Sequence, residues 1–261
     1  MRLRRPAAPT KSWRHVLGDA RAAEAGHDIL NPFTPAKLAL VGEVARIGPG
    51  TRILDLACGK GALLSTWAAE LGSSGHGVDL SDVFLVAARA RAIELGVSDR
   101  VSFEQGDAGR YVTGGEPYDV VACIGASWIA DGLPGTLDLL RQSVRPDGVV
   151  LVGEPYWTED PPAEALDAVD AAPALFTTLA GTGERFEQAG YDLVEMVLAD
   201  GDSWDRYAAS QWWTLAEWLR VNPDDARAPA VRTFRDDARR SHLAYVRRYL
   251  GWGVFVLRPL G

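Results

Sequence analysis

Between about residue 50 and residue 154 the apolar positions change period repeatedly. Short runs rich in β-branched residues give way to longer stretches with helical spacing. The pattern predicts strands at Thr51–Leu56, Gly75–Val78, Val101–Gln105, Tyr118–Ile124 and Val149–Glu154. Helices are predicted between them at Gly61–Leu71, Asp82–Leu95 and Leu133–Ser143, the second closed by Gly96, a common C-terminal stop. Tyr118–Ile124 is almost wholly apolar, as a strand covered on both faces should be. Pro146-Asp-Gly148 reads as the turn that starts the fifth strand. Strand–helix alternation at this spacing implies a mostly parallel sheet with right-handed crossovers.

Two additions flank this core. Residues 1–48 form an N-terminal helical extension or cap, in which Thr34 can cap a helix that has Pro35 at its first position. The rest, 49–261, is expected to form one domain. Within it, residues 183–189 read as a short helix before a strand at Tyr191–Leu198, and Trp252–Leu257 reads as a last strand. About 50 helical residues rich in Trp and Arg, roughly 200–250, are an insertion between those two strands.

Composition narrows the function classes. The 261 residues are 47% hydrophobic and 24% charged, an ordinary globular balance. No apolar run reaches the length of about 18 residues that a membrane span requires. The basic start Met1-Arg-Leu-Arg-Arg-Pro6 is followed by Lys11 to His15 where a signal peptide needs an apolar stretch, so a cytoplasmic protein is expected. Two cysteines cannot build a disulfide framework, and with four histidines no metal site is expected. A net charge of −8 disfavours nucleic acid as a partner. The arginines between Arg227 and Arg248 are interleaved with Asp236 and Asp237 and read as a solvated helix face.

The chemistry concentrates in Ile53-Leu-Asp-Leu-Ala-Cys-Gly-Lys-Gly61, a strand that ends in a glycine turn before a helix N-terminus. Asp79 closes the next strand, twenty positions beyond Gly59, where a carboxylate reaches the ribose of a nucleoside cofactor. By spacing alone this suits NAD or any adenosyl cofactor. The loop is not G-x-G-x-x-G, however, because Ala57 stands where the first glycine should be.

The segment Asp55-Leu-Ala-Cys-Gly-Lys-Gly61 resembles the first motif of class I S-adenosylmethionine-dependent methyltransferases. Gly77-Val-Asp79-Leu-Ser81 resembles their ribose-binding acidic loop and Gln105-Gly-Asp107-Ala108 the adenine-contacting segment. Tyr118 to Gly125 and Leu140 to Gly148 resemble the fourth strand and the turn before the fifth, with Asp147 replacing a glycine of that turn. The segments beginning at His27, at Val152 and at Tyr249 further resemble a bacterial group of small-molecule methyltransferases. The resemblance implies a doubly wound, Rossmann-like, seven-stranded α/β sheet. It also implies S-adenosylmethionine as cofactor, S-adenosylhomocysteine as product, and no metal.

Carried over by position, it places Asp55, Ala57, Gly59 and Gly61 around the methionine portion and Asp79 at the ribose. Leu80 or Phe84 would pack on the adenine, Asp107 and Ala108 would line its edge, and Cys123 would lie at the end of the fourth strand beside the site. Capping turns are the alternative for Asp55 and Asp107. For the acceptor, the candidates are Trp128, Tyr156 and Trp157 as binding residues, with Glu154 and His27 as candidate bases. Glu154 could equally anchor a cationic substrate or sit in a salt bridge, His27 could be a capping residue, and Tyr156 and Trp157 could cap the core. The expected partner is a small-molecule acceptor methylated on oxygen, nitrogen or carbon, with no nucleic acid and no membrane; a homodimer is compatible with the sequence. The alternatives are a catalytically inactive cofactor-binding scaffold and an NAD(P)-dependent oxidoreductase.

Overall fold

The computed structural model describes Glu24 and residues 26–169 and 175–260; the basic start and half of the expected N-terminal extension lie outside the described residues. Two compact units are formed. Of the described residues, one unit comprises 28–154, 181–198 and 252–260, and the other 155–169, 175–180 and 199–251 together with Glu24, Gly26 and His27.

The larger unit is built on a seven-stranded sheet. Its strands are β1 (Arg52–Leu56), β2 (Ser74–Asp79), β3 (Val101–Gln105), β4 (Tyr118–Ile124), β5 (Val144–Trp157), β6 (Tyr191–Leu198) and β7 (Leu250–Pro259), in the spatial order β3-β2-β1-β4-β5-β7-β6. The pairs β1–β2, β2–β3, β1–β4 and β4–β5 are parallel, whereas β6 and β7 are antiparallel. The chain runs outward from β1 through β2 to β3, then returns to place β4 on the other side of β1. That reversal opens a crevice at the carboxyl ends of β1 and β4, the place where such sheets hold ligands.

The helices are α1 (Pro35–Val44), α2 (Ala62–Leu71), α3 (Asp82–Glu94), α4 (Leu133–Arg141), α5 (Ala163–Ala168), α6 (Leu179–Gln188), α7 (Gly201–Val221) and α8 (Ala228–Ser241). Thr34 caps α1 as expected, its hydroxyl accepting the Lys37 N–H at 3.2 Å with Pro35 in the first turn. Trp67 of α2 is fully buried, and its indole N–H donates to the Leu38 carbonyl at 3.1 Å. A side-chain carbon at Gly42 would lie 2.9 Å from that indole nitrogen, so glycine is what lets α1 and α2 approach. Burying an indole of this size is worth roughly 4 kcal/mol.

One element departs from the pattern read in the sequence. β5 begins at Val144, which pairs with Tyr118, and the register then slips so that Val120 pairs with Val149. Pro146-Asp-Gly148 is therefore an irregularity inside the strand instead of a turn before it. The Asp119 carboxylate accepts from the Arg52 N–H at 2.7 Å and also binds Arg145, tying the irregular stretch to the start of β1.

In the other unit, α7 and α8 pack through Leu215, Leu219, Ala228 and Val231, with Trp218 and Phe234 against them. α8 continues through a π-helical turn, His242–Val246. The arginines of this region are largely matched to carboxylates, including Arg240 to Asp237, Arg247 to Asp205 and Arg248 to Glu159, which gives the solvated face the sequence suggested.

Candidate cofactor site

The turn after β1 is held by its backbone. The N–H groups of Ala57 and Cys58 both donate to the Val78 carbonyl, at 2.8 and 3.1 Å, so the turn is pinned to the end of β2. Ala57, Gly59 and Gly61 all have left-handed backbone, with φ of 64°, 55° and 66°. Side chains are also excluded by space: a Cβ at Gly59 would sit 2.8 Å from Leu30 Cδ1, and one at Gly61 2.7 Å from Phe103 Cζ. Of the turn, Ala57 and Gly59 border the crevice, just before the N-terminus of α2.

Three carboxylates lie at or just beyond the carboxyl ends of β1, β2 and β3. Asp79 accepts the Gly59 N–H on Oδ2 and the Ser81 N–H on Oδ1, both at 2.8 Å. Asp55 is buried at the end of β1 and forms no ion pair among the described residues; burial, and then the Asp79 charge, push its carboxyl up to about 8. Asp107 caps a short turn by accepting the Gly109 N–H at 3.1 Å, with Ala108 buried beside it. The capping reading of Asp107 is thus seen directly, and its outward-facing carboxylate remains half exposed.

The crevice is lined by Asp55, Ala57, Gly59 and Ile124 from the sheet and by Leu30 and Asn31 from the segment before α1. Asn31 donates from Nδ2 to the Ile124 carbonyl at 3.4 Å, and its Oδ1 occupies the space a side chain at Gly125 would need. Sequence reasoning missed Leu30 and Asn31. Their only local signal is the Asn31-Pro32 turn, and the contacts they make are remote in the chain.

Of the other expected cofactor residues, Leu80 is exposed at 66%, whereas Phe84 is buried on the inner face of α3. Leu80 is the better placed of the two to meet a ligand. Cys123 is fully enclosed in β4, and burial pushes its thiol far above the ordinary range. It offers a ligand no side-chain surface and fills the sheet as a small apolar group. Cys58 is buried likewise.

Glu154 ends the part of β5 that belongs to the larger unit. It is 3% exposed and in no salt bridge among the described residues. Its Oε2 has no hydrogen-bond partner. Burial pushes its carboxyl up to about 7, against the opposing effects of Ser127 and the Arg185 charge. Trp128, next to Ser127, is 59% exposed.

The remaining candidates belong to the other unit. Trp157 is core: it packs with Leu250, Phe176, Trp204 and Tyr249, and its N–H donates to Thr177 O at 2.7 Å. Tyr156 lies flat against Gly251, where no side chain would fit. For these two the core-capping alternative describes the packing seen. His27 is engaged at both ring nitrogens, Nδ1 by Glu24 at 2.6 Å and Nε2 by Ser210, and stacks on Tyr207. A base needs a free lone pair, and in this arrangement His27 has none.

An S-adenosyl cofactor fits this donor set. The turn is a left-handed glycine loop at a helix N-terminus, Asp79 has spare lone pairs on both oxygens, and the buried, unpaired Asp55 suits a ligand that carries positive charge. Among the described residues no group of His, Cys, Asp or Glu side chains could hold a metal ion, and no helix is long and apolar enough to cross a membrane.

Comparison with known proteins agrees. Residues 53–148 match the family described as "Methyltransferase domain". The chain is 48% identical to YjhP of Escherichia coli over 90% of its length and 95% of that protein's. It is 31% identical to a ubiquinone/menaquinone biosynthesis C-methyltransferase of Ectopseudomonas mendocina, over 72% of this chain and 66% of the other. The crystal structure of a methyltransferase from Geobacter sulfurreducens, solved with S-adenosylhomocysteine, superposes with a TM-score of 0.88 at 47% identity, covering 92% of this chain and 96% of that one. By its motif geometry, its strand order and these likenesses, the chain belongs to the class I S-adenosylmethionine-dependent methyltransferases.

Proposed function

We propose that the protein methylates a small-molecule acceptor, with the cofactor in the crevice after β1 and Glu154 as the group that receives the acceptor's proton. The observation that carries this reading is Glu154 itself: a buried carboxylate whose Oε2 has no hydrogen-bond partner. Such a group costs stability unless a ligand uses it. Bound S-adenosylmethionine supplies an electrophilic methyl group on a sulfonium. The chain's own contribution is to hold the donor still and to take a proton from an acceptor O–H or N–H at Glu154 Oε2.

In the holding role, the backbone of Ala57, Gly59 and Gly61 and the Asp55 carboxylate face the methionine portion. Asp79 reaches the ribose, and Leu80, Asp107 and Ala108 border the adenine. The acceptor side is entered past Trp128. The Ectopseudomonas relative is named for a step in quinone biosynthesis, which makes phenols and quinols the first acceptors to try. Incubation with labelled S-adenosylmethionine and a panel of phenols, amines and enolisable carbonyl compounds tests the reading. At least one should be methylated, and Glu154→Gln should lower its turnover by about 10²–10⁴-fold. Normal S-adenosylhomocysteine affinity without turnover on any acceptor would favour the inactive scaffold instead.

A further inference from the structure

We infer that the larger unit carries a second site, at the amino-terminal edge of its sheet, that binds the phosphate group of a small phosphorylated metabolite. A cavity of about 350 Å³ lies there, a volume within the range of small-molecule sites. Thr51 before β1, Asp119 at the start of β4, Arg145 and Asp147 in the irregular stretch of β5, and Arg258 near the end of β7 line it. Arg46, from the turn between α1 and β1, lines it as well. The strands β1, β4, β5 and β7 are neighbours in the sheet, so residues far apart in the chain meet at one edge. The cofactor crevice lies at the other end of β1 and β4.

The charges of the lining are not all matched. Arg145 is shared by the two aspartates: it pairs with Asp119 and, at 3.1 Å, with Asp147. Asp119 also accepts the Arg52 N–H at 2.7 Å, and the Asp147 carboxylate is 79% exposed and screened by water. Arg46 and Arg258 are exposed and form no ion pair among the described residues. Two unmatched arginines at one cavity run against the chain's net charge of −8. They suit a phosphate monoester, which carries about −1.5 to −2 near pH 7 and whose oxygens match the guanidinium fork. α1 ends beside the cavity, and a helix C-terminus repels anions, so binding rests on the side chains. Arg46 also stands where glycine is favoured. Its backbone is left-handed, with φ of 57°, and its N–H and that of Ile47 close the end of α1 on the carbonyls of Glu43 and Gly42. An arginine is held there at a cost to stability, and what it adds over glycine is the guanidinium group.

Titration of the full-length protein with inorganic phosphate, glycerol 3-phosphate and acetate at constant ionic strength tests the inference, followed by the backbone amide resonances of Gly50, Val120 and Val149. Both phosphates should shift these resonances saturably, with Kd of about 1 mM or below. Acetate should not, and glycerol 3-phosphate should bind at least as tightly as inorganic phosphate. Arg46→Gln and Arg258→Gln should each weaken both phosphates at least about fivefold. Arg46→Gly should weaken them as much while raising the thermal unfolding midpoint, because it relieves the left-handed backbone; loss of charge is thereby separated from loss of fold. Shifts that do not saturate, an equal response to acetate, or full phosphate affinity in both glutamine variants would overturn the site. Weaker binding of glycerol 3-phosphate than of inorganic phosphate would overturn its assignment to a phosphorylated metabolite.

Discussion

The carboxylate of Asp79 accepts the backbone N–H of Gly59 at 2.8 Å, so the acidic end of β2 and the glycine turn after β1 are one structural piece. Its other oxygen accepts the Ser81 N–H, which also sets the start of α3. A carboxylate can accept at four lone-pair sites, so both tasks leave room for ribose hydroxyls. Asp79→Asn retains one acceptor oxygen and turns an amide N–H₂ toward a backbone donor. Asp79→Ala leaves both donors unsatisfied. Each change should lower stability by about 1–3 kcal/mol, and S-adenosylhomocysteine affinity should fall at least about tenfold, more for Ala than for Asn. Calorimetric titration beside thermal unfolding separates the two effects; full affinity in Asp79→Ala would refute the ribose role.

Asp55 links the same site to pH. Its folded-state pKa, raised to about 8 by burial and by Asp79, lies far above its ordinary value of 3.8. The folded protein therefore holds a proton that the unfolded chain has lost, and stability should fall as pH rises from about 4 to 8, by up to about 1.4 kcal/mol per unit from this group. Asp55→Asn should flatten that slope. Cofactor affinity should run the other way: a cationic ligand favours ionised Asp55, so binding near pH 7 should release a proton and tighten as pH rises toward 8. Titrations in buffers of different ionisation enthalpy count the proton. A net uptake would show that Asp55 does not face the cofactor's charge.

Much of this arrangement was legible in the chain because it is local. The run Tyr118–Ile124 announces a strand buried on both faces, and Asp55, Gly59 and Asp79 stand at the spacing of a strand–turn–helix–strand unit. The misread parts depend on contacts between distant segments. Val144 belongs to β5 only because Tyr118 lies beside it, and nothing near Pro146 in the sequence signals that pairing. Asn31 reaches the crevice by meeting Ile124, 93 residues away. Trp157, a candidate acceptor residue with core-capping as its alternative, packs in a core with Leu250. Periodicity reports which face of an element is apolar; it is silent on what that face meets.

His27 shows the same ambiguity at a single residue. Glu24, itself buried, accepts from Tyr207 at 3.1 Å and Gln211 at 2.9 Å on Oε1 and binds His27 on Oε2. Removing the imidazole would strip that carboxylate of a partner and leave Ser210 and the face of Tyr207 uncovered. His27→Ala should therefore cost about 1–3 kcal/mol of stability, and the folded fraction should keep the pH profile of methyl transfer. Urea unfolding and a pH–rate series on a responsive acceptor decide the matter. Lost turnover with an unchanged unfolding midpoint would restore His27 as the base.

Ala57 is the residue at which the cofactor turn breaks a local rule. With φ at 64° it holds a conformation that costs an alanine about 1–2 kcal/mol and a glycine almost nothing. The N–H of Ala57 donates to Val78 at 2.8 Å, so the turn cannot relax without losing its tie to β2. Glycine would remove the strain but loses about 0.5–1 kcal/mol in backbone entropy on folding. Ala57→Gly should thus stabilise the protein by about 0.5–1 kcal/mol, raising the unfolding midpoint by about 1–4 °C. S-adenosylhomocysteine affinity should stay within about twofold, since the backbone path is kept. Ala57→Val, β-branched and unsuited to this region, should destabilise the fold and weaken binding together. A destabilised Ala57→Gly would mean that the turn is not left-handed at this position, and the backbone cradle inferred for the cofactor would have to be redrawn.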